Sequence, residues 1–148
     1  MGLEFKHLLV PIDFGESSSE ALEVAVELAM RFHSRLTLVH VYEIPSYVYG
    51  GMTYATADLF APIEDAAREH LEKTLRVVHK RVPGATSVLR RGAPATEVLD
   101  LVERMRPDLV VLGTHGRKGL RRVLIGSVAE KIVRLSPVPV LTVHGKPE

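Results

Sequence analysis

The chain is predicted to fold as an α/β domain, a parallel five-stranded sheet covered by helices on both faces. Short apolar runs alternate with helical patterns along the whole chain, and strands joined through helical crossovers pair in parallel. The composition is that of one globular domain: 148 residues, formal net charge +1, 46% apolar and 25% charged. A chain of this size buries enough apolar surface to need no metal or disulfide staple.

His7 to Ile12 reads as the first strand, with Pro11 where the strand must be ending. Ser17 and Glu20 form a capping-box pattern for the first helix. Ala21, Ala25, Leu28 and Phe32 follow at helical spacing, widened by Leu22, Val26 and Ala29. Leu36 to Val41 is the second strand. A second helix is predicted from near Pro62 to about Val82, with Ile63, Ala67, Leu71, Leu75, Val78 and Val82 on its buried face and Pro83-Gly84 stopping it. Thr86 to Leu89 is a short third strand. Pro94 suits the start of the third helix, where a missing N–H costs nothing, and Ala95, Val98, Val102 and Met105 continue it to Pro107. Leu109 to Leu112, Ser127 to Leu135 and Val138 to Val143 complete the alternation as strand, helix and strand.

Residues 43–61 break the pattern. They lack periodicity, contain Gly50-Gly51, and with Tyr42 hold all four tyrosines of the chain. A loop of this length reads as a functional lid or as a disordered excursion.

Several function classes fall away on composition. With no cysteine there is no thiol nucleophile, disulfide or thiolate metal site. The near-neutral balance argues against a protein that coats nucleic acid or anionic membrane. Leu8-Leu9-Val10, cut short by Pro11 and Asp13, is too brief for a signal segment, and no run of 18 apolar residues exists. A soluble, cytoplasmic protein is the resulting expectation. The chain has no Asn and no Gln, and 13 Arg against 6 Lys, a depletion of thermolabile residues that fits a thermophilic source.

In open parallel sheets ligands bind beyond the carboxyl ends of strands, where strand order reverses. That rule points to Pro11–Phe14, to His40–Tyr42 and to the segment after Leu112. The last of these runs Gly113-Thr114-His115-Gly116-Arg117-Lys118-Gly119, then on to Gly126-Ser127 at a helix start. Glycine at a strand end allows a sharp turn and close approach of a ligand. Free N–H groups at a helix start form an anion site, and Ser127 can cap that helix or donate to a phosphate. Ordinary strand and helix punctuation would look the same. Arg117, Lys118, Arg121 and Arg122 can balance a triphosphate, and equally read as a solvated face. No Walker loop is present, and the first strand ends in Pro11-Ile12-Asp13-Phe14 where a dinucleotide fingerprint would stand.

Gly113, two residues, Gly116, nine residues and Gly126-Ser127 resemble the nucleotide-binding signature of the universal stress protein family. The opening His7 to Ser17 resembles that family's first strand, Asp-containing turn and first helix, and Ser136 to Val143 its last strand. The resemblance covers the chain outside residues 43–61. It implies a Rossmann-like sheet of order 3-2-1-4-5 and an ATP-binding, dimeric regulatory or stress-response module. Adenine and ribose would lie against Pro11, Ile12, Asp13 and Val41, with AMP or ADP as other occupants. Phosphates would lie on Gly113, Gly116, Gly126, Ser127 and Val128, with Leu112, Thr114, His115 and Arg117 lining the same cleft. Asp13 is a magnesium contact on this reading, and residues 138–143 pair with their twin in a homodimer. A protein partner is expected but not named.

No metal pair, His-Glu-x-x-His run or Gly-x-Ser-x-Gly elbow occurs. Asp13 has no evident second carboxylate beside it, so an efficient enzyme is not expected. A slow ATPase, a nucleotidyl or phosphoryl transferase, and a nucleotide-free dimeric scaffold are the alternatives.

Overall fold

The computed structural model describes residues 2–45, 56–115 and 125–145. Its elements are β1 (His7–Pro11), α1 (Glu16–Phe32), β2 (Arg35–Tyr42), α2 (Thr56–His79), β3 (Thr86–Arg91), α3 (Pro94–Met105), β4 (Leu109–Gly113), α4 (Ser127–Leu135) and β5 (Val140–Val143). The strands form one parallel sheet in the order β3-β2-β1-β4-β5. Order therefore reverses between β1 and β4, and a crevice opens beyond their carboxyl ends.

Side chains alternate across a strand, so each contiguous apolar run feeds two cores. Leu8, Val10, Leu36, Leu38, Leu109 and Val111 turn to the face covered by α1 and α2. Leu9, Val39, Val110 and Leu112 turn to the face covered by α3 and α4. The helix α1 meets the sheet through Ala21, Ala25 and Ala29, small residues that let the backbone come close. Both faces of β1 and β4 are thus filled, and the crevice between their ends has rigid walls.

Several boundaries differ from the sequence expectation. The helix α2 starts at Thr56, so Pro62 lies inside it. Residues 56–61 contain no glycine or proline to stop a helix, so α2 continues ahead of Pro62 despite the missing amide bond and the crowding of the proline ring against the preceding turn. The expected loop is shorter by that stretch, and of the remaining residues 43–55, those from 46 to 55 fall outside the described residues. At its other end α2 gives way at His79 to turns closed by Arg81 and Val82 amides on the Val78 carbonyl. His79 Nε2–H then donates to Ala85 at 2.7 Å. Strand β5 begins at Val140, because Pro139 has no N–H for the ladder, although its carbonyl accepts from Val110 at 3.0 Å. Phe32 is exposed, unlike the stripe to which spacing assigned it, and meets Phe5 edge-on with ring centroids 5.3 Å apart.

The capping box does not form. Gly15 is the N-cap of α1 with no side-chain cap, and Ser17 lies inside the helix. The Ser17 hydroxyl donates instead to the Val143 carbonyl at 3.3 Å and accepts from the His115 amide at 3.3 Å. A tertiary demand on the hydroxyl has displaced the local one. Among the described residues no helix is long and apolar enough to cross a membrane.

At the amino end of β1, His7 is buried. Its amide donates to Asp108 at 2.8 Å and its Nε2 lies 2.8 Å from the Thr37 hydroxyl, but Nδ1 has no partner. Burial, then the Arg35 charge, lowers its proton affinity from the ordinary 6.5, against the opposing Asp108 carboxylate. Below about pH 6.5 the unfolded chain takes up a proton that folded His7 resists, so stability falls as pH falls. The urea midpoint of the parent should drop between about pH 7 and about pH 5, and drop less in His7→Leu. Parallel pH dependence in the two proteins would contradict this assignment.

Candidate functional site

A cavity of about 440 Å³ occupies the crevice where strand order reverses. Pro11, Ile12 and Asp13 enter it from the end of β1, Val41 from β2, and Leu112, Gly113, Thr114 and His115 from β4. Gly126, Ser127 and Val128 come from the start of α4. Gly116 and Arg117, like the cations Lys118, Arg121 and Arg122, lie outside the described residues. The cavity is also lined by Ser18, Val39, Glu43, Pro94, Val98 and Ala129, which sequence reasoning missed. Pro94 and Val98 bring the N-terminus of α3 to the cavity. Every βα connection of a parallel sheet ends on this side, a signal that was available for β3 and not used. Glu43 stands one residue beyond the strand end that the crevice rule selected, and it adds a second carboxylate to the cavity lining along with that of Asp13.

The β1 side of the cavity presents a fixed acceptor. Asp13 Oδ1 accepts from the Gly15 amide at 2.8 Å, and the Asp13 amide donates to the Ser18 hydroxyl at 3.0 Å. One carboxylate oxygen is thereby held, and the other has no partner among the described residues. Between them Phe14 adopts a left-handed backbone with φ of 64°, which costs a non-glycine residue about 1–2 kcal/mol. Full burial of Leu8, Leu9 and Val10 just before it, about 1.5–3 kcal/mol each, outweighs that strain. Phe14 is also clamped, stacked on His70 of α2 at 3.7 Å and tilted against His40 at 4.4 Å. His40 Nδ1–H donates to the Ile12 carbonyl at 2.8 Å, which ties the β2 end to the same turn.

The opposite side presents donors. Gly126 is the N-cap of α4 with no side-chain cap. Ser127 is therefore the first helical residue and not the cap that the sequence suggested, and its hydroxyl has no partner among the described residues. The first amides of α4 have no partner within the helix, and the macrodipole adds partial positive charge there. Ala93 likewise caps α3 without a side-chain bond. The Gly126 amide donates to the Thr114 carbonyl at 2.6 Å, which brings the start of α4 to the end of β4.

Gly113 needs its missing side chain for another reason than ligand approach. A Cβ there would stand 2.7 Å from the carbonyl carbon, carbonyl oxygen and Oγ of Ser17. The bare face of Gly113 is turned to α1, so this glycine lets strand and helix meet. Thr114, 1% exposed, follows it. Its amide donates to the Val143 carbonyl at 3.1 Å, and its hydroxyl oxygen lies 3.0 Å from Nδ1 of both His115 and His144.

Residues 4–144 match the universal stress protein family. The chain belongs to that family. Universal stress protein A homolog 1 of Coxiella burnetii is 34% identical over 146 residues, covering 97% of this chain and 99% of that one. The solved universal stress protein UspA from Lactobacillus plantarum superposes with a TM-score of 0.82 at 25% identity, over 96% of this chain and 99% of that one. A family protein from Arabidopsis thaliana, solved with AMP bound, has a TM-score of 0.69 at 22% identity and covers 95% and 92% of the two chains. The two solved proteins share the fold of this chain. Among the described residues no cluster of three or more His, Asp or Glu is arranged to hold a metal.

The packing role of Gly113 has a direct test. Gly113→Ala should destabilise the fold by about 1–3 kcal/mol through overpacking against the α1 backbone. Gly84→Ala, with open space around it, should shift the thermal midpoint little. Equal stability of the two variants would refute the contact.

Proposed function

We propose that this universal stress protein is a one-domain module that binds adenosine nucleotides, ATP foremost, and acts by regulation rather than by efficient catalysis. The observation that carries the reading is the polarity of the crevice. A fixed Asp13 carboxylate with one unpartnered oxygen stands on the β1 side, and uncapped helix starts stand on the other. Carboxylate oxygens accept from ribose hydroxyls, and helix-terminal amides donate to phosphate oxygens. The apolar walls Val39, Val41, Val98 and Leu112 suit a base. Binding of AMP by a protein of the same fold supports an adenosine nucleotide as the ligand.

Magnesium would enter with the phosphates. Asp13 and Glu43 are the carboxylates at the cavity, and magnesium bound with a nucleotide commonly needs only one or two. A slow hydrolytic step becomes a second reading because Glu43 supplies the carboxylate that a water would need.

Calorimetry of the full chain with ATP and magnesium should show saturable binding. Asp13→Asn keeps an oxygen for the Gly15 amide while removing the charge, and should weaken ATP about three- to tenfold, the worth of one hydrogen bond. Absence of binding by the folded parent would leave the scaffold reading instead.

The reading includes a homodimer through β5. That strand is at the sheet edge, its outer side unpaired among the described residues, and Leu141 on it and Val128 and Val133 on α4 are exposed. An apolar edge of this kind is protected by a symmetric partner. Sedimentation should give a dimer that Leu141→Arg converts to monomer. A parent that sediments as monomer would sink this part of the reading.

A further inference from the structure

We infer that His144 is a positioning residue for the anionic part of the ligand, acting on His115 through the Thr114 hydroxyl. The inference rests on the nucleotide reading above and adds a residue to it. His144 follows β5 directly and is exposed, and it does not line the cavity. His115 does line it.

The Thr114 hydroxyl is well placed to join them. It is buried, and its backbone is held at both ends, by the Val143 carbonyl at 3.1 Å and the Gly126 amide at 2.6 Å. Its oxygen stands 3.0 Å from Nδ1 of each imidazole. A hydroxyl has one proton to give and can accept two. If both Nδ1 atoms were donors, the Thr114 proton would have to go to the Val143 carbonyl. That oxygen is 3.5 Å away and already accepts from the Thr114 amide and the Ser17 hydroxyl. The shorter arrangement uses complementary imidazoles, one donating at Nδ1 and the other accepting there.

The direction of the relay follows from where each ring ends. His144 is exposed, so water serves its Nε2 in either state. The remaining polar atom of His115 is Nε2, which has no partner among the described residues. His144 Nδ1–H donates to Thr114 Oγ1, and Thr114 O–H donates to His115 Nδ1. The proton of neutral His115 then sits on Nε2, as a donor for a phosphate oxygen. Each bond in such a chain polarises the next. The opposite order would leave Nε2 of His115 as a lone pair facing an anion.

The experiment uses the full chain and two ligands, ATP and phosphate-free adenosine, with His144→Ala and His144→Asn beside the parent. Loss of the imidazole should weaken ATP about three- to tenfold, the worth of one ordinary hydrogen bond, while adenosine binding and the thermal midpoint stay put. Asparagine restores an N–H donor near the position of Nδ1 and should recover most of the ATP affinity. Nitrogen-15 spectra of the neutral ring should place the His115 proton on Nε2. Unchanged ATP affinity in His144→Ala, equal losses for ATP and adenosine, or a His115 proton on Nδ1 would each overturn the relay. A parent that binds neither ligand would overturn the nucleotide reading itself, and the relay with it.

Discussion

Where β4 reaches the start of α1 there is no room for a side chain, and much of the site is arranged around that contact. Gly113 lies against the Ser17 backbone at a distance that no Cβ could share. Ser17 is then turned inward, where its hydroxyl joins the Val143 carbonyl and the His115 amide. Through these bonds the ends of β4 and β5 and the first turn of α1 become one unit. The cavity lies beside that unit, on the carboxyl side of the sheet.

Polarity across the cavity has its origin in chain direction. Parallel strands deliver their carboxyl ends and the N-termini of the following helices to the same side. Donors therefore collect where α3 and α4 begin. The acceptor side depends on one local device, the Asp13-Phe14-Gly15 turn, in which a carboxylate closes on a backbone amide and a left-handed phenylalanine stacks on His70 and tilts against His40. Apolar burial in β1 holds the turn, so the strongest part of the core also fixes the most demanding part of the site.

Much of this could be read along the chain. The five apolar runs alternate with helical stripes, and that local period, not any distant contact, sets element type. Proline marked the start of α3 correctly, since Pro94 falls at its first residue. The same reasoning misplaced the start of α2, because a helix can run ahead of Pro62 when nothing local stops it. The crevice rule, read from strand order alone, points to the segments that carry Asp13, Val41, Thr114 and Ser127, which all line the cavity. Glu43 and Pro94 escaped because their approach depends on how far β2 extends and how α3 leans.

By itself the sequence determined the α/β class and both apolar faces of each central strand, because hydrophobic period is a local property. It also carried the glycine and helix-start pattern through which it resembles the universal stress protein family. Tertiary structure alone decided what individual polar groups do. Ser17 has the spacing of a cap, yet it serves β4 and β5, since a hydroxyl bonds to whatever packing brings nearest. Gly113 has the look of a ligand-facing glycine, yet its bare side meets a helix. His144 carried no spacing signal, because its bond to Thr114 spans 30 residues and exists only once β4 and β5 are paired.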